Sequence, residues 1–486
     1  MQWWLWCLVV IVVFLVGLTI HDITQRRHSI LRNFPVVGHL RYLIEKVGPE
    51  LRQYVVADND EELPFSRDQR RFIYASAKKQ NSYFGFGTDN DIDVPGYVLL
   101  RHAAFPHPSP PEEEADQLPM RKVMGEAHNR AHAFQPTSLV NVSAMSFGSL
   151  SAPAVEAINR GSQLANCLHN TGEGGISKHH RHGGPIMFQI GTGYFGARNP
   201  NGTFSLDQML QSIDGCDVKA IEIKLSQGAK PGLGGVLPGT KVSQEIAEAR
   251  GVEIGVTVKS PSRHSSFGDV ATMIDFCELI ATETGIPTGI KSAVGEKKFW
   301  VELAAQMKST GRGPDFITVD GGEGGTGAAP LAFSDHVALP FRQGFAEVYR
   351  AFAEQGLHER TVFLGAGRLG PPTEAMVALA MGVDGISVAR EAMIAIGCVQ
   401  AQKCHSGHCP TGVATQSTWL ARGLDPSDKA VRLANYVAAV RYELRRLANA
   451  MGADHPSLVD PAAVEIRLEA NHVRPIRELY GYDPNW

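Results

Sequence analysis

From Ser138 to Arg390 the chain repeats one pattern eight times: a short apolar run, then glycines or other small residues, then a stretch with helical spacing. The runs are Leu139–Ala144, Ala165–Asn170, Met187–Ile190, Ala220–Leu225, Thr288–Ser292, Phe316–Val319, Val362–Gly365 and Gly385–Val388. Strands alternating with helices at this period close into a parallel (β/α)8 TIM barrel of about 250 residues, with the helices outside. A ninth apolar run, Ile254–Val258, falls in a long excursion between the fourth and fifth strands. The 486 residues leave room for two flanking additions, both mainly helical. The expected layout is a transmembrane anchor over 1–22, a helical cap over 23–134, the barrel over 135–420 and closing helices over 421–486. Within the cap, Leu40–Tyr54 and Arg67–Lys79 carry helical spacing, and the Pro-rich His107–Glu113 marks an exposed turn.

Trp3–Ile20 holds no charged residue over 18 positions, enough for a helix to cross the hydrocarbon core of a bilayer. Trp3, Trp4 and Trp6 stand where interfacial aromatics belong, and neither a basic start nor a small-residue cleavage site marks a signal peptide. Arg26, Arg27 and Arg32 follow at once, so the positive-inside rule places the remainder in the cytoplasm. A buried core helix is the alternative. The charge balance, Lys+Arg 46 against Asp+Glu 50, offers no field that would recruit nucleic acid and makes small-molecule chemistry the default.

In a barrel of this kind the chemistry sits on loops beyond the C-terminal ends of the strands. Here those loops read NTGEGG (Asn170–Gly175), SQGAKPGLGG (Ser226–Gly235), DGGEGGTGAAP (Asp320–Pro330) and GAGRLGPP (Gly365–Pro372). A phosphate commonly binds between the loops after strands seven and eight, held by glycine amides and a helix N-terminus. Gly365, Gly367 and Arg368 stand on the first of these loops and Arg390 on the second, a candidate flavin mononucleotide phosphate site; tight strand–helix turns are the plainer alternative. Lys291, ending strand five, needs an anion if buried. Either the N1–C2=O edge of a reduced flavin or a carboxylate such as Glu173 would serve.

Cys398-x5-Cys404-x4-Cys409-Pro410 lies just beyond strand eight. Three thiols within twelve residues, in a reducing compartment, point to metal rather than to disulfides. An iron–sulfur cluster of three irons suits three ligands followed by proline, while His405 and His408 keep a Cys3His zinc site open. Of the other cysteines, Cys167, Cys216 and Cys277 sit in apolar contexts and read as core residues. The run Lys178–His182 reads as a solvated cationic loop.

Taken together, MSFGSLS, NTGEGG, QGAKPG-x-GG, GGTGAAP and the cysteine run resemble, in order, the synthase domain of glutamate synthase over about residues 135–420. The resemblance is closer still to the short, membrane-anchored FMN-binding glutamate synthase family, whose front region shares LRNFPVVGHLRY and GPELRQY. It implies FMN beside a [3Fe–4S] cluster ligated by Cys398, Cys404 and Cys409. It also implies that Gly324, Gly325 and Thr326 join Lys291 and the phosphate loops around the flavin. By the same resemblance, 2-oxoglutarate sits among Met145, Glu173, Lys230 and Arg250, with Glu173 and Lys230 catalytic. The implied reaction is reductive amination of the keto acid with ammonia, fed by an electron donor such as a ferredoxin or a reductase.

The chain departs from that pattern in three places. Leu233 and Val236 replace a Glu and a Gln, and the Gln is a substrate contact in the family. Loss of such a hydrogen bond costs about 1–3 kcal/mol, enough to redirect specificity toward another keto acid, imine or amine. Gly321–Gly327 reads GGEGGTG where the family has GHDGGTG. Where the family opens with a glutamine-hydrolysing domain, this chain has Met1 and an apolar helix, so ammonia is expected from solution or from a partner.

Overall fold

In the computed structural model, which describes residues 3–55, 62–83, 87–109, 111 and 117–486, the eight runs form a closed parallel barrel. Thirteen strands are numbered along the described chain. An outer strand, β1 (Val98–Leu100), precedes the barrel strands β2 (Val140–Val142), β3 (His169–Asn170), β4 (Ile186–Ile190) and β5 (Val218–Lys224). Two short strands, β6 (Val236–Leu237) and β7 (Val258–Lys259), then pair antiparallel within the excursion. The barrel resumes with β8 (Thr288–Ala293), β9 (Phe316–Asp320), β10 (Val362–Ala366) and β11 (Gly385–Val388), and β11 closes it by pairing with β2. The last strands, β12 (Val464–Glu469) and β13 (His472–Pro475), lie outside the barrel. The ninth run therefore belongs to the excursion, as its position implies.

These strands carry continuous apolar text because both their faces are covered; every residue of β4, β9 and β10 is buried. The exception is a polar layer inside the barrel. The Glu222 carboxylate on β5 accepts from Asn170 (2.7 Å) on β3, Gln189 (2.6 Å) on β4 and Thr318 (2.6 Å) on β9. Because β8 stands between β5 and β9, the Thr318 bond crosses the lumen.

Four helices precede the barrel: α1 (Trp3–Thr24), α2 (Ser29–Asn33), α3 (Gly38–Val55) and α4 (Arg67–Ala77). α4 starts at a capping box in which Ser66 and Gln69 exchange side-chain-to-backbone bonds, and it packs on the long helix Pro426–Ala450. That helix also covers α5 (Ala152–Ala165), the first helix of the barrel ring.

Two boundaries differ from the sequence expectation. Ala165 ends α5, Asn166 turns the chain in the left-handed region (φ 51°), and the second barrel strand shrinks to His169–Asn170. The residues after Ala450 are not all helical. β12 and β13 form a hairpin, and β1 joins it antiparallel to make a three-stranded sheet that ties the cap to the C-terminus. The alternation in VEIRLE was overshadowed by the strong helical text just before it. Of the Pro-rich turn, residues 107–109 are exposed, and part of it lies outside the described residues.

Candidate active site at the mouth of the barrel

The loops beyond the C-terminal strand ends converge on one mouth, and their charges are concentrated there. Glu173, three residues past β3, bonds through Oε1 to Lys224 Nζ (2.8 Å), which ends β5. Lys224 also donates to Gln227 (2.6 Å). Lys230 and Arg250 are buried beside this pair, both within electrostatic reach of Glu173. Arg250 donates to the Phe147 carbonyl (3.1 Å) and lies over the Phe195 ring at 5.1 Å, while its Nε is buried without a partner. Met145 is buried next to the NTGEGG loop; a Cβ on Gly172 would come within 2.9 Å of the Met145 carbonyl carbon. Gly191 is required here in the same sense, because a Cβ would sit 2.5 Å from the Glu173 carboxylate.

The electrostatics follow from three cations around one carboxylate. Burial pushes the Glu173 carboxyl upward, but Lys224, Lys230 and Arg250 outweigh it and hold Glu173 below the ordinary carboxylate value. Burial, helped by the Lys224 charge, lowers Lys230. Burial pushes Arg250 down to about 10, with Glu173 opposing.

Glu173, Lys230 and Arg250 thus lie together at the mouth, with Met145 against the Gly172 backbone. Sequence reading missed Lys224, Gln227 and His264, whose Nε2 lies 2.9 Å from the Lys224 carbonyl oxygen. The available signal was IEIK, which places Lys224 one full alternation beyond the lumen residue Glu222. Val236 is half exposed on the β6–β7 ribbon, and Leu233 is exposed in the loop before it.

On the neighbouring strand β8, Lys291 is buried in register with Lys224, its ammonium 3.8 Å from Asp320 at the end of β9. Asp320, not Glu173, is its carboxylate, since Glu173 is taken by Lys224. The other Asp320 oxygen accepts from Gly228 N–H (3.0 Å), drawing the loop after β5 against the loop after β9. The approach is so close that a Cβ on Gly228 would fall 1.8 Å from the Gly321 carbonyl oxygen.

Arg390 is half-buried over the Phe65 ring (5.3 Å) and donates to the Glu323 carbonyl. Burial lowers it, and the nearby Arg368 guanidinium lowers it further. Arg368 itself donates to the Pro64 carbonyl (2.9 Å) from a left-handed backbone (φ 58°). A Cβ on Gly325 would press on the Arg390 guanidinium at 2.9 Å. Gly367 (φ 140°) lies against Gly321, Gly324 lies near the Gly321 carbonyl, and Thr326 is exposed on the same loop. A Cβ on Gly365 would instead meet Leu369 and Phe341. Glu323, where the family carries Asp, accepts the Phe341 N–H and so caps the helix Phe341–Ala353. Two guanidiniums held close together on the loops after β10 and β11, beside glycines that admit a backbone approach, fit the phosphate of a flavin mononucleotide.

The three cysteines lie within electrostatic reach of one another on the loop after the helix Arg390–Ala395. Burial pushes the Cys398 thiol up to about 12, and ionised Cys409 and Cys404 would raise it further. Burial and Cys409 also raise Cys404. Cys409 is buried, 3.5 Å from the Thr411 hydroxyl. A donor set of three thiols would be stabilised as thiolates by bound metal cations, iron or zinc. His405 and His408 are both exposed, and among the described residues no three His, Cys, Asp or Glu side chains gather closely enough to hold a metal ion. A Cβ on Gly327 would touch Cys404 at 3.1 Å, so the glycine loop after β9 packs against the cysteine loop.

Of the residues set aside from the sequence, Lys178 and His179 pair with Glu245, and Cys167 and Cys277 are buried.

Comparison with known proteins agrees with this architecture. The family described as the conserved region in glutamate synthase matches residues 109–454. A glutamate synthase large subunit-like protein of Bacillus subtilis (strain 168) is 39% identical over 503 aligned positions, covering 96% of this chain and 95% of that protein. An archaeal-type glutamate synthase [NADPH] of Thermotoga neapolitana is 34% identical over 319 positions. That match covers 64% of this chain and 59% of the relative, so the chain spans less than two thirds of the archaeal-type enzyme. With the matched region running through the barrel, its charged mouth and the cysteine loop, the chain belongs to the glutamate synthase family.

Proposed function

We propose that the protein is a flavin- and iron–sulfur-dependent oxidoreductase that reductively aminates 2-oxoglutarate, or a closely related keto acid, with ammonia. The observation that carries this reading is the charge of the mouth. Lys224, Lys230 and Arg250 against Glu173 leave a surplus of two positive charges in a largely buried site, which matches a dicarboxylate. Arg250, fixed by the Phe147 carbonyl and the Phe195 ring, can take one carboxylate in a planar grip. Lys230, with its affinity for its proton reduced by burial, is the donor for the keto oxygen. Glu173 remains ionised and can accept hydrogen bonds from an ammonium ion beside the substrate.

Arg368, Arg390 and the loop Gly324–Gly325 would hold the FMN phosphate, Lys291 the flavin ring edge, and Cys398, Cys404 and Cys409 the cluster. When bound, FMN would supply hydride and the cluster single electrons. Electrons would come from a separate donor such as a ferredoxin or a reductase. The apolar α1 would anchor the protein in the cell membrane with the barrel on the cytoplasmic side.

Val236 favours a second reading, in which a different keto acid, amine or amino acid is the substrate. A half-exposed valine offers no hydrogen bond where the family's Gln does.

The test is spectroscopic. Purified protein should show flavin bands over broad iron–sulfur absorbance, and Cys409→Ser should lose the latter. Photoreduced protein mixed with 2-oxoglutarate and ammonium should reoxidise with formation of glutamate. Flavin that stays reduced would end the 2-oxoglutarate assignment, and a spectrum lacking both chromophores would end the redox assignment.

A further inference from the structure

α3 carries an apolar face that nothing among the described residues covers. Val37, Leu40, Leu43, Ile44 and Val47 are between 42% and 72% exposed. At 100° per residue they fall within a single arc of about 120°. Tyr42 and Arg41, partly buried, lie off that arc. A helix of a soluble protein turns such a stripe inward, whereas this one faces out.

The depth of α3 follows from how it is tied to α1. Trp3–Ile20 is exposed along most of its length, and eighteen residues at 1.5 Å each span about 27 Å, close to a hydrocarbon core. Asp22, two residues later, marks the level at which the chain leaves the lipid. Its carboxylate is buried, accepting from Val36 N–H (2.9 Å) and pairing with His39 Nε2 (2.9 Å). The first turn of α3 is therefore pinned to the last turn of α1, at the membrane surface. Packing of the His28 ring on Tyr42 at 5.0 Å adds a second tie. Exposed Arg27, Lys46 and Arg422 provide positive charge for anionic headgroups in the same region.

The segment between α1 and α3 also grips the cysteine loop. Asn33 donates to the Pro410 carbonyl (3.1 Å), next to Cys409, and to the Leu420 carbonyl (2.8 Å). Phe34 meets Trp419 edge to face at 5.3 Å. We propose that α3 lies flat in the headgroup region of the bilayer that α1 crosses, and that this contact seats the three-cysteine loop against the membrane surface. This rests on the reading of α1 as a membrane anchor.

The test uses the full chain in phosphatidylcholine–phosphatidylglycerol vesicles, with the photo-crosslinker p-benzoylphenylalanine placed in turn at Ile44, at Val12 in α1 and at Lys297. Lys297 is exposed at the start of the barrel helix Lys297–Thr310 and serves as the aqueous control. Lipid adducts identified by mass spectrometry are expected at 12 and 44, each at least about ten-fold above the 297 background, as for a helix with its apolar face in the acyl boundary. Adducts at 12 with none at 44, or a protein–protein product at 44, would overturn the proposal and leave the anchor standing. No lipid adduct at 12 would overturn the anchor reading itself.

Discussion

At the scale of single residues, the mouth is governed by which carboxylate each lysine finds. Lys224 neutralises Glu173 while its neighbour Lys291 faces Asp320, so removing Lys224 should weaken substrate binding. Lys224→Met is expected to raise KM for a dicarboxylate about 10- to 100-fold, the loss of a charge-assisted hydrogen bond worth about 1.5–3 kcal/mol. Lys224→Arg should recover part of it, and equal KM in wild type and Lys224→Met would remove Lys224 from the site.

The buried histidines make a second prediction at this scale. Burial lowers His264 to about 4 and His169 to about 3. The unfolded chain takes up protons on these rings below about pH 6.5 while the folded chain does not, so stability falls with pH from about 6.5 to about 4. Each ring contributes at most about 1.4 kcal/mol per pH unit across that window. Urea midpoints at pH 7.5 and 5.0 should therefore separate, and less so in His264→Gln; an unchanged separation in that variant would exclude His264 as a source.

At the scale of elements, the contact between the loops after β5 and β9 leaves no space for a side chain. Gly228→Ala would drive a Cβ into the Gly321 carbonyl and strain the Gly228–Asp320 bond. Overpacking of this kind costs about 1–3 kcal/mol or more, so a lower thermal midpoint and weaker flavin retention are expected together. A variant that melts and binds flavin like the wild type would show that the loops separate freely.

The eight barrel strands were legible because they are largely covered on both faces and most are followed by loops of glycines or other small residues, a local pattern that needs no partner to be recognised. The second strand was overextended because Ala165 is equally apolar in a helix, and only the left-handed Asn166 ends that helix. β12 was missed because it pairs with β1 more than 360 positions away in the chain, and β13 because it is held only as the hairpin partner of β12.

At the scale of the whole molecule, the N-terminal segment, the cap and the C-terminal helices converge on the cysteine loop. Tyr74 on α4 donates to the Cys398 carbonyl (2.7 Å), Gln400 clasps the Phe65 backbone, and Asn33 holds Pro410. Asn33→Ala removes the side-chain donor from the Pro410 carbonyl, at about 1 kcal/mol or more, while the Leu420 carbonyl still accepts from Gly423 N–H. In protein loaded with the proposed cluster, iron should then leave several-fold faster in a chelator challenge, with the barrel's own melting little changed; an unaltered release rate would show that the N-terminal segment does not brace the loop.

The sequence by itself determined the barrel, the order of its strands, the three-thiol spacing and the apolar N-terminal helix, because each is written in periodicity or spacing over a few neighbouring residues. Tertiary structure alone decided that Glu173 belongs to Lys224, that Glu222 bridges the lumen, and that Asn33 reaches Pro410 across 377 positions. Those pairings exist only once the barrel has closed, since closure is what brings loops distant in the chain to one mouth and makes one of several available carboxylates or carbonyls the nearest.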